Sequence, residues 1–195
     1  MNEKYELLKD PIINLYRIRA LKDFSDIKAG TLGGYVENED NLSHDGNAWI
    51  YGNAKVCGDA KVYGNSRVYD DAKIYGNACA YGNAWVYGNA CVYGDTCVYD
   101  YACVYGNACV GSNARVCGDA CLKINADYTV IHGFGSEERT TTFFRCKDGN
   151  IRVKCGCFYG TIDEFCYKVH ETHGDSKYAK EYLMIADLME LHFSE

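Results

Sequence analysis

The chain has 195 residues, of which 48% are hydrophobic, and its formal net charge is −7. This length and composition predict one domain, or a domain with a small appendage, around a buried core. The acidic balance and the lack of a basic stripe argue against a nucleic-acid partner. No apolar run reaches the roughly 18 residues that a membrane span needs, so no membrane association is expected.

The N-terminal segment, residues 1–32, is predicted to cap the rest of the molecule. Residues 15–21 alternate as a strand does, and residues 28–36 form a Gly-rich turn that ends on Val36. The first residues lack the basic-then-apolar pattern of a secretory signal. We therefore expect a cytoplasmic protein, in which the 12 cysteines are reduced thiols.

Residues 33–122 are predicted to form a β-helix. A six-residue phrase of the form Gly-Asn-Ala-x-Val-Tyr recurs there, without a gap from about Asp45 onward. An aliphatic residue returns at every sixth position and a small residue follows four positions later, as at Ile50 and Ala54. A helical period of 3.6 residues cannot keep this spacing. The pattern predicts a parallel β-helix with aliphatic and small side chains inside and Gly-Asn or Gly-Asp at the corners.

This repeat resembles the hexapeptide repeat of left-handed β-helix proteins, in which three hexads complete one triangular coil. The resemblance implies a mainly β fold with about five coils, in which residues 18 apart stack. The Leu-Tyr-Arg-Ile opening at 15–18, the Leu-Gly-Gly-Tyr-Val turn at 32–36 and the segment at 155–165 add a second likeness. Together with the hexads, they resemble a family common in phages and prophages, whose members are often labelled transferases.

Stacking at 18 residues per coil predicts which outer side chains are neighbours. No Asp lies above another Asp, whereas Asn beside Asn or Asp can form hydrogen-bonded ladders, as in the column Asn47, Asn65 and Asn83. In-register neighbours orient their Cβ atoms poorly for a disulfide, so we expect stacked cysteines to remain thiols. The stacked pairs are Cys79 and Cys97, Cys91 and Cys109, and Cys103 and Cys121.

Residues 123–195 are predicted to form a small α+β domain. A strand at 127–132 and a hairpin of 140–146 with 151–155 come first. Thr161 and Glu164 form a capping box that opens a helix ending at Gly174. A second helix is expected from about Ser176 to the C-terminus. Its predicted inward face consists of Tyr178, Tyr182, Ile185, Leu188 and Met189.

The outward positions of the repeat carry the candidate binding residues. Trp49, Arg67, Trp85, Cys103 and Cys121 form one column, here called the tryptophan column. Tyr51, Tyr69, Tyr87 and Tyr105 form the neighbouring tyrosine column. We expect an exposed aromatic surface with the Arg67 guanidinium between two indoles, suited to a planar ligand or a partner protein. Such surfaces also favour self-association, so a homo-oligomer, either a trimer or a dimer, is expected.

The resemblance also implies chemistry that this sequence supports poorly. Hexapeptide-repeat acyltransferases bind coenzyme A between subunits and place a histidine nearby as the general base. The uninterrupted repeat has no histidine, which leaves His44 and His132 as the candidate bases, with surface or cap roles favoured for both. Four cysteines outside the repeat could ligate zinc, but paired CxxC spacing is absent. We therefore predict no catalytic residue, metal or cofactor. Those cysteines are Cys146, Cys155, Cys157 and Cys166.

Three hypotheses for the function follow from the sequence. The first is a non-enzymatic binding protein of phage or prophage type, which interferes with host defence by binding a host protein or sequestering a small nucleotide-like ligand. The second is a coenzyme A-dependent acyltransferase. The third is a self-assembling structural scaffold, which the predicted caps at both ends disfavour.

Overall fold

The computed structural model describes residues 3–194 of the chain. Residues 1, 2 and 195, at the outer ends of the predicted segments 1–32 and 123–195, lie outside the described residues. The N-terminal part contains the strands Tyr5–Lys9 (β1), Tyr16–Ala20 (β2) and Leu32–Val36 (β3), followed by a short 3-10 helix, Glu39–Asn41. Strand β2 confirms the strand predicted at 15–21, whereas β1 was not predicted.

The described repeat contains thirteen strands of two residues each. They are Trp49–Ile50 (β4), Lys55–Val56 (β5), Lys61–Val62 (β6), Arg67–Val68 (β7), Lys73–Ile74 (β8), Cys79–Ala80 (β9), Trp85–Val86 (β10), Cys91–Val92 (β11), Cys97–Val98 (β12), Cys103–Val104 (β13), Cys109–Val110 (β14), Arg115–Val116 (β15) and Cys121–Leu122 (β16). Each strand pairs in parallel with the strand three hexads away, so residues 18 apart stack, as Arg67 does on Trp85.

Three parallel faces therefore enclose a solenoid of about five coils, which confirms the predicted mainly β architecture. Their strand orders are β3-β5-β8-β11-β14, β4-β7-β10-β13-β16 and β6-β9-β12-β15. Strands β1 and β2 extend the first face through antiparallel pairing of β1 with β2 and of β2 with β3. The N-terminal strands thus lie at the end of the solenoid where the predicted cap was expected.

The interior of the solenoid consists of the aliphatic and small residues that define the repeat. Val56, Ala60 and Val62 are fully buried, as are their equivalents in the following coils. Because each coil places a similar side chain above the one before it, the apolar area is removed from water along the whole solenoid. The hexad pattern therefore defines the core of the protein.

The corners need backbone torsions that favour glycine. At Gly64 φ is 71°, and a Cβ atom there would lie 3.0 Å from the backbone nitrogen of Gly82 on the next coil. Asp70 occupies a corner with φ of 60°, and its Oδ2 accepts a hydrogen bond from the Gly88 N–H at 3.0 Å. This bond helps to offset the unfavourable torsion of a non-glycine residue at that corner.

The predicted amide ladder is present along one corner of the solenoid. The Asn47 Nδ2 donates to Asn65 Oδ1 at 3.1 Å, and the Asn65 Nδ2 donates to Asn83 Oδ1 at 3.2 Å. A second ladder joins the Asn53 Nδ2 to Asp71 Oδ1 at 3.3 Å. Successive coils are therefore linked by side chains as well as by backbone hydrogen bonds.

The C-terminal part contains a short 3-10 helix, Asn125–Asp127, an antiparallel sheet and two helices. The strands are Tyr128–Ile131 (β17), Thr141–Arg145 (β18), Ile151–Cys155 (β19) and Phe158–Thr161 (β20), and they pair in that order. The helices are Ile162–His173 (α1) and Lys177–His192 (α2). The capping box of Thr161 with Glu164 and the stop at Gly174 confirm the predicted limits of α1. Strand β20 was not predicted.

The predicted inward face of α2 was partly wrong. Tyr182 and Met189 are buried as expected, but Tyr178 and Leu188 are exposed. The small residues Ala179 and Ala186 are buried instead. Small side chains allow a helix to pack closely against its neighbours. The alanines of α2 therefore face the C-terminal core, and the larger side chains remain outside.

The C-terminal sheet contacts the last coils of the solenoid. Strand β18 lies against β15 and β16, and an isolated bridge joins Ala120 to Cys146. The Lys147 N–H also donates to the Asp119 carbonyl at 3.0 Å. These contacts place the turn between β18 and β19 beside the outer surface of the solenoid. The segment boundaries at residues 32 and 122 stay predictions.

Candidate functional site

The face formed by β4, β7, β10, β13 and β16 carries the tryptophan column. Its register stacks Trp49 on Arg67, Arg67 on Trp85, and Trp85 on Cys103. The sequence predicted this order of side chains. Their surroundings differ along the column, because the N-terminal segment covers one end of it.

Trp49 is fully buried, so the prediction of an exposed Trp49 was wrong. The Tyr5 ring meets the indole edge-on at 6.3 Å, and the Phe24 ring does so at 5.4 Å. Beside them, the buried Lys4 Nζ donates to the Ala48 carbonyl at 3.0 Å. Phe24 belongs to the connection between β2 and β3, which folds over this coil. Trp49 therefore belongs to the core of the protein.

Arg67 is held by the same connection. Its guanidinium donates to the two carboxylate oxygens of Asp26 at 2.8 and 3.1 Å, and it lies 5.9 Å from the centre of the Tyr51 ring. Hydrogen bonding to Arg67 is the main cause that lowers the pKa of Asp26. The register keeps Arg67 between the two tryptophans of the column, as predicted. Its guanidinium, however, hydrogen-bonds to Asp26 and Ser25 and lies over the Tyr51 ring.

Trp85 lies beyond the reach of the N-terminal segment and is 43% exposed. It opens onto a cleft of about 610 Å³, here called the Trp85 cleft. The cleft is lined by Ser25, Asn47, Asn65, Arg67, Asn83, Trp85, Tyr87, Tyr101, Cys103 and Lys147. Of the seven predicted binding residues, Arg67, Trp85 and Tyr87 are brought together here.

The tyrosine column continues beside the cleft. The Tyr51 and Tyr69 rings meet edge-on, with an interplanar angle of 87°, whereas Tyr69, Tyr87 and Tyr105 stack with centroids 5.1 Å apart. Burial is the main cause that raises the pKa of Tyr69 to about 12, and a hydrogen bond with Cys121 is the main cause that raises the pKa of Tyr105 to about 12. These phenols are therefore neutral at physiological pH.

The sequence did not predict the contribution of Lys147. This residue lies in the turn between β18 and β19, and its Nζ donates to the Tyr101 carbonyl at 3.2 Å. Burial raises the pKa of the Cys103 thiol, while the Lys147 ammonium acts in the opposite direction. Ser25 reaches the cleft from the opposite end of the chain. No local sequence signal indicates either contact, since both come from segments outside the repeat.

The two candidate histidine bases lie away from this cleft. The His44 Nδ1 accepts from the Lys4 backbone N–H at 3.1 Å, its Nε2 lies 2.9 Å from Glu39 Oε1, and its ring stacks on Tyr5 at 4.3 Å. A backbone N–H can only donate, so the proton of the neutral ring lies on Nε2 and points to the carboxylate. His132 lies 3.3 Å from the Thr140 hydroxyl. Within residues 3–194, no histidine lines the Trp85 cleft.

The cysteines fall on the predicted lattice. Cys79 pairs with Cys97, Cys91 with Cys109, and Cys103 with Cys121, and all are free thiols. In the described part of the chain, no three His, Cys, Asp or Glu side chains converge as a metal site. The structure also contains no helix, within the same residues, that is long and apolar enough to span a membrane.

No family model matches the chain, whereas a comparison with curated proteins finds a partial match. A stretch of 37 residues is 49% identical to part of a protein described as "Uncharacterized acetyltransferase YdcK" from Escherichia coli (strain K12). The stretch covers 19% of this chain and 11% of that protein. The chain therefore spans about a tenth of the length of the curated relative it matches. The solenoid is that of a parallel β-helix protein, and the acetyltransferase description belongs to the matched protein.

Proposed function

We propose that the chain is a non-enzymatic binding protein whose Trp85 cleft takes a planar, negatively charged small molecule of nucleotide type. The observation that carries the proposal is the position of Trp85. Its indole is 43% exposed, and the cleft around it also contains the cationic side chains Arg67 and Lys147. An exposed aromatic ring beside two cations suits a ligand with a flat base and a phosphate group.

The chemistry of the lining residues supports this ligand class. A guanidinium and an ammonium bind phosphate oxygens through charge-assisted hydrogen bonds. Asp26 orients Arg67, and the Tyr101 carbonyl orients Lys147, so both cations are positioned before a ligand arrives. The side-chain amides of Asn65 and Asn83 offer further polar contacts along one wall. A cleft of about 610 Å³ lies within the range of roughly 300–1,000 Å³ that is typical of small-molecule sites.

The protonation of the cleft supports binding rather than catalysis. Burial raises the pKa of the Cys103 thiol and of the Tyr87 phenol, so both side chains remain protonated at neutral pH. A general base needs a lone pair that is available near the operating pH. The lining cations and amides do not supply one. The cleft can therefore hold and orient a ligand without a group that would abstract its protons.

The test is calorimetric titration of the protein with adenosine 5′-monophosphate and with ATP. We expect saturable binding that weakens at least tenfold in Trp85→Ala. Tyr75→Ala is the matched control, because Tyr75 is 42% exposed on another corner of the solenoid and lies outside the cleft. Its affinity should equal that of the wild type. Binding of neither nucleotide, or equal affinity in Trp85→Ala, would contradict the proposal.

Coenzyme A-dependent acyl transfer is the second candidate, and the 37-residue similarity to a protein described as an acetyltransferase favours it. Acetyl-coenzyme A also contains an adenine nucleotide, so binding alone does not separate the two functions. Release of free coenzyme A in the presence of amine or hydroxyl acceptors does separate them. Turnover that depends on His44 or His132 would replace the binding proposal with the enzymatic one.

We also propose self-association of the chain and a role against host defence. The exposed Trp85 and Tyr101, which is 61% exposed, support a contact with a second copy or with a host protein. Native mass spectrometry of the protein from its host would report subunit number, bound small molecules and partners together. A dimer or trimer would support self-association, and a bound host protein would support the role against host defence. A strict monomer without a bound molecule or partner would contradict both.

A further inference from the structure

The stacked thiols on the outer surface are a cluster that the proposed function does not use. On the face built from β5, β8, β11 and β14, one outward column reads Lys55, Lys73, Cys91 and Cys109. Cys91 and Cys109 are half-buried, so solvent reaches both. The Cys91 Sγ lies 3.9 Å from the Asn89 carbonyl and the Cys109 Sγ lies 3.9 Å from the Asn107 carbonyl, so the two side chains have the same orientation. This arrangement places two sulfur atoms side by side on adjacent coils.

The distance between Cys91 and Cys109 on adjacent coils suits a shared metal ion better than a disulfide. Parallel in-register strands lie about 4.8 Å apart and keep their Cβ atoms at a similar separation. A disulfide requires a Cβ–Cβ distance of roughly 3.8 Å. Two metal–sulfur bonds placed in line, each as long as a zinc–thiolate bond of about 2.3 Å, span about 4.6 Å. The column can therefore hold an ion between two thiolates without displacing the backbone.

Two ligands restrict the class of the ion. Zinc requires four ligands in a tetrahedral arrangement, and no third metal-binding side chain converges here among residues 3–194. Thiolates select soft ions such as Cu(I), whose filled d shell accepts two ligands in a line. We propose that Cys91 and Cys109 form a two-coordinate site for a thiophilic monovalent cation of the Cu(I) class.

The charges along the column are consistent with this site. Binding converts two thiols and one monovalent cation into a complex of charge −1, and two protons pass to solvent. Lys73 stacks directly on Cys91 in the register of the sheet, so its ammonium lies one coil away from the anionic complex. Because binding releases two protons, the affinity should increase with pH.

The other two stacked pairs are less suited to a metal ion, because a cationic side chain lies beside one of their sulfurs. The Arg115 Nη1 donates to Cys97 Sγ at 3.3 Å and so occupies a lone pair that the metal would need. The Cys103 thiol and the Lys147 ammonium both contact the Tyr101 carbonyl, so the ammonium occupies the space beside that sulfur. The Cys91–Cys109 pair should therefore bind the first equivalent of metal.

The experiment is an anaerobic titration of the reduced, full-length protein with Cu(I) against a chromophoric chelator. We expect the protein to bind one equivalent of Cu(I) tightly. Cys91→Ser and Cys109→Ser should each lower this affinity more than about 100-fold, which is the loss expected when only a supporting contact is removed. The double variant should be no weaker than either single one. Cys157→Ser is the matched control, because Cys157 is exposed and lies outside every stacked pair. It should leave the affinity unchanged.

X-ray absorption of the wild-type protein loaded with one equivalent of Cu(I) gives a second measurement that does not depend on variants. We expect two sulfur neighbours around the metal. Three or more ligand atoms, a nitrogen neighbour, or wild-type affinity in both serine variants would overturn the proposal. Circular dichroism of each metal-free variant establishes that the solenoid is intact before the titration.

Discussion

Trp49 and Trp85 occupy the same column two coils apart, yet one is fully buried and the other is 43% exposed. Both follow a small residue and precede an aliphatic one, so they occupy equivalent positions in the repeat. The difference arises from the connection between β2 and β3, which packs Phe24 against Trp49 and Asp26 against Arg67 and extends no further. An equivalent position can therefore stabilise the fold in one coil and remain available for a ligand in another.

This contrast shows where the function of a repeat protein resides. The hexads supply a rigid lattice with a fixed distance between coils. The segments outside the repeat then determine which outward side chains are covered and which are open. Ser25 from the N-terminal part and Lys147 from the C-terminal part lie on the walls of the Trp85 cleft. The cleft is thus the part of this face that neither segment covers.

The largest expected effect is a difference in the free energy of unfolding between variants of the two tryptophans. Trp49→Ala should lower the free energy of unfolding by about 3–5 kcal/mol, because it leaves a cavity beneath Tyr5 and Phe24. Trp85→Ala should change it by less than about 1 kcal/mol, since an exposed ring loses few contacts. Chemical denaturation followed by circular dichroism measures both. Equal losses of unfolding free energy in the two variants would contradict the assignment of Trp49 to the core and of Trp85 to the surface.

A smaller effect concerns Lys4, which is buried beside Trp49. Burial lowers the pKa of Lys4 from 10.5 to about 8 in the folded state. Between these pH values the unfolded chain binds more protons than the folded one, so the contribution of Lys4 to stability rises with pH. Wild type should gain about 1–2 kcal/mol relative to Lys4→Met between pH 7.5 and 9.5. Denaturation of both proteins at the two pH values tests this, and a constant difference would contradict it.

The smallest effect concerns the pair of Asp26 and Arg67. Both side chains are partly exposed, so Asp26→Asn should cost less than about 1 kcal/mol at pH 7. The hydrogen bond from Arg67 lowers the pKa of Asp26 below 3.8 in the folded state. The stability it contributes is present above that value and is lost as the pH falls through the folded pKa. The difference between wild type and variant should therefore vanish in strong acid. A difference that persists there would argue against the ion pair as its source.

Much of the fold could be predicted from the sequence because it follows local rules. The hexad spacing predicted the stacking of residues 18 apart, including the hydrogen bonds from Asn47 to Asn65 and from Asn65 to Asn83. The capping box of Thr161 with Glu164 predicted the start of α1. Each of these features depends on neighbours in the chain or on a fixed period.

The candidate site could be predicted only in part, because its shape depends on contacts between distant segments. The column order of Arg67 and Trp85 followed from the period, and Tyr87 followed from the adjacent column. The burial of Trp49 depends on Phe24, and one end of the cleft depends on Lys147. Neither residue lies in the repeat, so no periodic pattern relates it to the solenoid face.

The fluorescence of single-tryptophan variants tests the central claim most directly, because the chain contains only 2 tryptophans. In Trp49→Phe, the remaining Trp85 should emit at long wavelength, respond strongly to acrylamide and change saturably with adenosine 5′-monophosphate. In Trp85→Phe, the remaining Trp49 should emit at shorter wavelength and respond to neither. A nucleotide response from Trp49, or equal acrylamide quenching of the two indoles, would contradict the account.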